Sequence, residues 1–183
     1  IWDWGDGTTQ SVNTANAITI TKTYSTAGTY TVKFTGTMEY FAPNNIGAFA
    51  NAQKVRSINN WGNVGFKLLT LKYTLVSTIP NSPITGLNQT SLDLGDALFR
   101  STRITTVPSD LLFYAKATVS LANMFLDCTS LTGKIPENLF RYCPNLTTVA
   151  AAFSGCAGLT GQIPEDLLRY NTKLTSVTSL FSG

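Results

Sequence analysis

Leu131-Thr-Gly-Lys-Ile-Pro-Glu-Asn-Leu-Phe-Arg-Tyr142 recurs 28 residues later, without a gap, as Leu159-Thr-Gly-Gln-Ile-Pro-Glu-Asp-Leu-Leu-Arg-Tyr170. The correspondence runs on: Leu146 aligns with Leu174, Val149 with Val177, Phe153 with Phe181, and Ser154-Gly155 with Ser182-Gly183. One copy earlier the match is looser, with Pro108 before Pro136, Tyr114 before Tyr142, Phe125 before Phe153 and Cys128 before Cys156. Pro80 stands a further 28 residues back. A fixed period of this size marks units that bury their apolar faces against their neighbours rather than alone.

Each unit reads as two brief extended segments alternating with two short helices. Leu131-x-x-x-Ile135 and Leu146-x-x-Val149 are the extended parts. Pro136 to Tyr142 reads as a helix because proline suits the first helical position. Glu137 and Asn138, like Glu165 and Asp166, then face the positive end of its dipole. Ala150 to Gly155 reads as the second helix, with Gly155 placed for a left-handed cap. The expected fold is mixed α and β: a solenoid of 28-residue repeats over residues 54–183, preceded by a β-sandwich module over residues 1–53.

The blocks Leu-Thr-Gly-x-Ile-Pro and Phe153-Ser-Gly-Cys156 resemble the bacterial leucine-rich repeats of the BspA-like surface-protein type, over roughly residues 58 to 183. The resemblance implies a secreted or cell-surface repeat protein that is not an enzyme. Near the start, Asp3-Trp-Gly-Asp-Gly-Thr8, Lys22-Thr-Tyr24 and Ala27-Gly-Thr-Tyr-Thr-Val-Lys-Phe-Thr-Gly36 resemble the later part of a PKD-type, immunoglobulin-like sandwich. Its early strands are missing, as is a histidine common near Lys22. Ala17–Tyr24 and Tyr30–Gly36 alternate with period two, as half-buried strands should. Trp61, with Val55 and Ile58, suits the atypical first repeat that caps an open apolar end.

Of 183 residues, 43% are hydrophobic and only 13% charged, so Thr, Ser and Asn supply the polar surface. The net charge of +3 is spread without a basic cluster and gives no case for nucleic acid or an anionic membrane. No apolar run reaches the ~18 residues of a membrane helix, so no direct membrane insertion is expected. The chain opens inside a strand and closes inside a repeat, which reads as a fragment of a longer protein. It contains no histidine, which removes Ser-His-Asp, Cys-His and metal-histidine arrangements. No phosphate-cradling or dinucleotide motif is present, and no cofactor is expected.

Cys128 and Cys156 share a repeat position, whereas Cys143 aligns with Ala115 and Asn171. Stacked at the strand spacing of about 4.8 Å, the first two fall within disulfide range but with parallel Cβ vectors, a poor geometry. Buried free thiols are the simpler reading. Asp3 and Asp6 invite calcium, which wants six to eight oxygens; capping a tight turn explains them with less. Glu137, Glu165 and Asp166 form carboxylate pairs by composition, and their repeat phase explains them as helix-start residues.

One surface stands out. Tyr114, Tyr142 and Tyr170, with Arg141 and Arg169, occupy equal repeat positions and would form a column. Such a column could stack on sugar rings or a protein partner. Alternatively, the rings cover the edge of the core with their hydroxyls in water. The leading functional expectation is a non-enzymatic surface module for recognition of, or adhesion to, an extracellular protein or glycan. The alternatives are a structural spacer and an accessory module of a larger surface protein. End-to-end self-association through Leu174, Val177 and Phe181 is also expected.

Overall fold

The computed structural model describes residues 1–13, 20–38, 40–43, 52–60, 68–80, 97–113 and 115–183. Regular secondary structure among them is sparse. Strand β1 (Trp2–Asp3) pairs antiparallel with both β2 (Thr9–Gln10) and β3 (Lys33–Phe34), giving a small sheet in the order β2-β1-β3. A second pair, β4 (Tyr40–Phe41) and β5 (Leu68–Leu69), runs parallel. Helical hydrogen bonding among the described residues is confined to Ala52, and none of them forms a helix able to cross a membrane.

The expectation of a mixed α and β leucine-rich-repeat solenoid is overturned by this. The described residues are nearly all non-helical, and both helices expected in each unit are absent. An α-helix sends every N–H to the carbonyl four residues back. In the segment from Val149 to Cys156 the donors alternate instead. The N–H groups of Ala152, Ser154 and Cys156 close turns onto Val149, Ala151 and Phe153, at 3.1, 3.1 and 3.2 Å. Those of Val149, Ala151, Phe153 and Gly155 leave the segment and reach Ser176, Thr178, Leu180 and Ser182, at 2.8–3.1 Å.

The 28-residue period is therefore expressed as backbone bonds between segments. One copy earlier, Leu121, Asn123, Phe125 and Asp127 donate in the same way to Thr148, Ala150, Ala152 and Ser154. Turning every second N–H outward requires left-handed backbone at fixed places. Asn123, Ala151 and Ser179 have φ of 58, 52 and 53°; Asp127 and Gly155 have 61 and 72°. Gly155 is left-handed as its sequence suggests. It caps no helix, since the run before it closes as turns and Asp127 adopts the same conformation at the equivalent position one copy earlier.

The extended segments are also shorter than their pattern suggests. They survive as single parallel bridges, Gly133 to Leu159, Ser120 to Thr148 and Thr148 to Ser176. Their apolar residues still point inward: Leu131, Leu146 and Val149 are fully buried. Phe99, Phe125, Phe153 and Phe181 stack in one column, with centroids 5.5, 5.2 and 5.7 Å apart and planes within 13° of parallel. Offset aromatic stacking adds to the transfer energy of each ring, so this column is the spine of the core. Phe34, Met38 and Phe41 pack against the same core.

Around β1 the aromatic contacts are local. Trp2 stacks on Trp4 at 5.4 Å and meets Phe34 at 5.1 Å, and Tyr24 stacks on Tyr30 at 3.9 Å. Of the strand expected at 17–24, residues 17–19 lie outside the described residues and 20–24 form no ladder. They are held by side chains instead, the Tyr24 hydroxyl donating to the Trp4 carbonyl at 2.9 Å. Gly5 has φ of 73°, and a Cβ there would lie 2.6 Å from the Thr31 carbonyl oxygen. Trp61 lies outside the described residues.

Candidate functional site

Three units carry the face that the tyrosines share: Pro108-Ser-Asp-Leu-Leu-Phe113, Pro136-Glu-Asn-Leu-Phe-Arg-Tyr142 and Pro164-Glu-Asp-Leu-Leu-Arg-Tyr170. Each is a succession of turns closed at every second residue. Leu111, Phe113 and Ala115 donate to the carbonyls of Pro108, Asp110 and Leu112; Leu139, Arg141 and Cys143 to those of Pro136, Asn138 and Phe140. Leu167, Arg169 and Asn171 repeat this on Pro164, Asp166 and Leu168. Leu111, Leu139 and Leu167 anchor the turns in the core. Leu112 and Phe140 are buried beside them, while Arg141, Arg169 and Tyr170 are exposed.

Tyr114 lies outside the described residues, so of the tyrosines expected to form a column only Tyr142 and Tyr170 can be placed. Neither ring stands alone. Phe113 meets Tyr142 at 4.5 Å with planes 58° apart, and the Arg141 guanidinium sits 4.9 Å over the Tyr170 ring. Each tyrosine is thus met by the residue one place before its counterpart in the preceding unit. Tyr170 remains 41% exposed.

The carboxylates expected at helix starts do different work, because the helices are absent. Asp166 Oδ1 accepts from Arg169 Nη1 at 3.0 Å, an exposed pair that solvent screens. That hydrogen bond raises the Arg169 pKa, so the guanidinium stays charged. Asn138 Oδ1 accepts from Arg141 Nη1 at 3.4 Å. In the first unit arginine is replaced by Phe113, and Asp110 Oδ1 is buried with no donor among the described residues. An open depression of about 500 Å³ lies there, lined by Ser109, Asp110, Phe113, Pro136, Glu137, Asn138 and Tyr142. The sequence reading passed over Asp110 and Phe113. The signal was present: Phe113 breaks the aligned Arg141 and Arg169.

The three cysteines are free and buried. The thiols of Cys128 and Cys156 donate to the carbonyls of Phe99 and Phe125 at 3.0 and 3.1 Å. Burial pushes Cys143 and Cys156 up to about 12 and raises Cys128, so all three are protonated at neutral pH. Asn171, which takes the place of Cys143 in the next unit, donates its amide to the Phe140 and Cys143 carbonyls at 2.9 and 2.8 Å.

Asp3 and Asp6 cap the turn between β1 and β2. Asp3 Oδ1 accepts from the Gly5 N–H at 2.9 Å, and Asp6 Oδ1 from the Thr8 N–H and hydroxyl at 3.0 and 2.6 Å. Lys22 Nζ lies 2.7 Å from Asp6 Oδ2. The Lys22 hydrogen bond, followed by that of Thr8, lowers the Asp6 pKa to about 2. Both aspartates are thus engaged by the chain itself, and the described residues contain no group of three or more potential metal ligands.

Comparison with known families matches residues 1–43 to the PKD domain. These residues are a PKD-like, immunoglobulin-like module, a type that is typically extracellular and associated with the cell surface. The resemblance of residues 58–183 to BspA-like leucine-rich repeats finds no support in the comparisons. Neither the curated proteins nor the solved structures contain a match to the chain.

Proposed function

We propose that this chain is a non-catalytic structural or accessory module of a larger extracellular protein. The observation that carries the reading is the PKD match over residues 1–43, together with its compact sheet β2-β1-β3. Continuous packing supports it, since one core cluster runs from Leu69 to Leu180 with Phe34, Met38 and Phe41 packed against it. A unit built this way serves as a spacer that holds its neighbours apart.

A second reading, recognition of an extracellular protein or glycan, is favoured by one observation: the exposed Tyr170 ring with Arg141 stacked on it. The two separate on arrays of glycans and extracellular-matrix proteins probed with the folded chain. The spacer reading expects no specific hit. A specific hit lost in Tyr170→Ala would refute it and establish recognition.

A further inference from the structure

Among the outward positions of the three units, Phe113 stands where the later units have Arg141 and Arg169, and Ser109 where they have Glu137 and Glu165. Asn138 and Asp166 each find a guanidinium three residues on, in Arg141 and Arg169. Asp110 finds Phe113 instead, and one of its carboxylate oxygens is sealed from solvent without a donor among the described residues. A half-buried carboxylate in that position is compensated only from its open side. Asp110 lines the depression of about 500 Å³, whose lining among the described residues holds a second carboxylate, Glu137, and no cationic side chain. Phe113 and Tyr142 supply aromatic surface beside the carboxylates.

We propose that this depression accepts the arginine side chain of a partner protein. The guanidinium would pair with Asp110 and Glu137 and lie against Phe113 and Tyr142. Charge complementarity selects a cation. Arginine is favoured over lysine because its planar fork pairs with carboxylates while stacking on rings. Arg141 over Tyr170 shows the same stacking one unit on, at 4.9 Å, within the same chain. The partner thus restores from outside the group that the first unit lacks.

The test is an NMR titration of the isotope-labelled chain with the blocked tripeptide Gly-Arg-Gly. The same peptide with lysine, and with the neutral isostere citrulline, provides the controls. Saturable shifts at the amides of Ser109, Asp110, Phe113, Asn138 and Tyr142 are expected. Arginine should bind best and citrulline should not bind. Asp110→Asn should weaken arginine binding by about fivefold, the effect of one partly exposed ion pair. Phe113→Arg should fill the site from within and abolish the response. Should that variant fail to fold, Asp110→Asn and citrulline decide alone. Equal response to arginine and citrulline, full affinity in Asp110→Asn, or no shift at these amides would each overturn the proposal.

Discussion

Replacing Ala151 by glycine separates the observed backbone from a helical one by the sign of its effect. In a helix, glycine in place of alanine costs about 0.8–1 kcal/mol. Here Ala151 has φ of 52°, a conformation that costs an L-residue roughly 1–2 kcal/mol and glycine nothing. Relief of that strain opposes the greater entropy glycine loses on folding, about 0.5–1 kcal/mol. The balance runs from near zero to a gain of about 1.5 kcal/mol. Ala152 next door is fully buried, is absent from the left-handed set and donates to the Val149 carbonyl. Ala152→Gly should therefore lose about 1 kcal/mol or more, from entropy together with the buried methyl. Urea unfolding of the two variants beside the parent measures both, provided the slope is unchanged so that midpoints report stability. A loss of 1 kcal/mol or more in Ala151→Gly, equal to that in Ala152→Gly, would refute the alternating backbone.

Phe125→Ala should cost about 3–5 kcal/mol, because it empties a fully buried site stacked on both sides by Phe99 and Phe153; thermal unfolding would show whether so much is lost. Gly158→Ala should also destabilise strongly, since its Cβ would lie 2.6 Å from the Leu131 carbonyl oxygen and one segment would have to shift; amide exchange along 131–135 would register this. The Asp6 pKa falls from 3.8 to about 2 in the folded chain, so its stabilising contribution is complete above about pH 4 and is lost as pH falls through about 2. Tryptophan fluorescence of Trp2 and Trp4 between pH 5 and pH 1.5 should show that transition in the parent and a smaller one in Asp6→Asn.

Much of the register was legible in the residues. The spacing of Phe125, Phe153 and Phe181 became a stacked column, and the shared phase of Cys128 and Cys156 became two thiols bonded to the preceding segment. The conformation within each unit was not legible. Ala150-Ala-Ala-Phe153 favours a helix by local propensity, but that preference is weak per residue. Carbonyls of the next segment, 2.8–3.1 Å away, drew off every second N–H. Nothing within a single unit encodes that competition, because the acceptor lies in another copy. Likewise Pro136 and Glu137 carry the signs of a helix start, yet the run from Pro136 to Cys143 closes as turns. At the candidate site, aligning the units shows Phe113 against Arg141 and Arg169. The lone oxygen of Asp110 needs the fold to be seen.

The outward bonds between segments all run one way on this side of the stack. Leu121, Asn123, Phe125 and Asp127 donate forward, as do Val149, Ala151, Phe153 and Gly155. Each peptide carries a dipole of about 3.5 D, and here the dipoles add along the stacking direction rather than alternating in sign as in a sheet. Each segment thus presents a row of partial positive charge to the next, which meets it with a row of carbonyls, so the order of the segments has a polarity that side-chain packing alone would not impose.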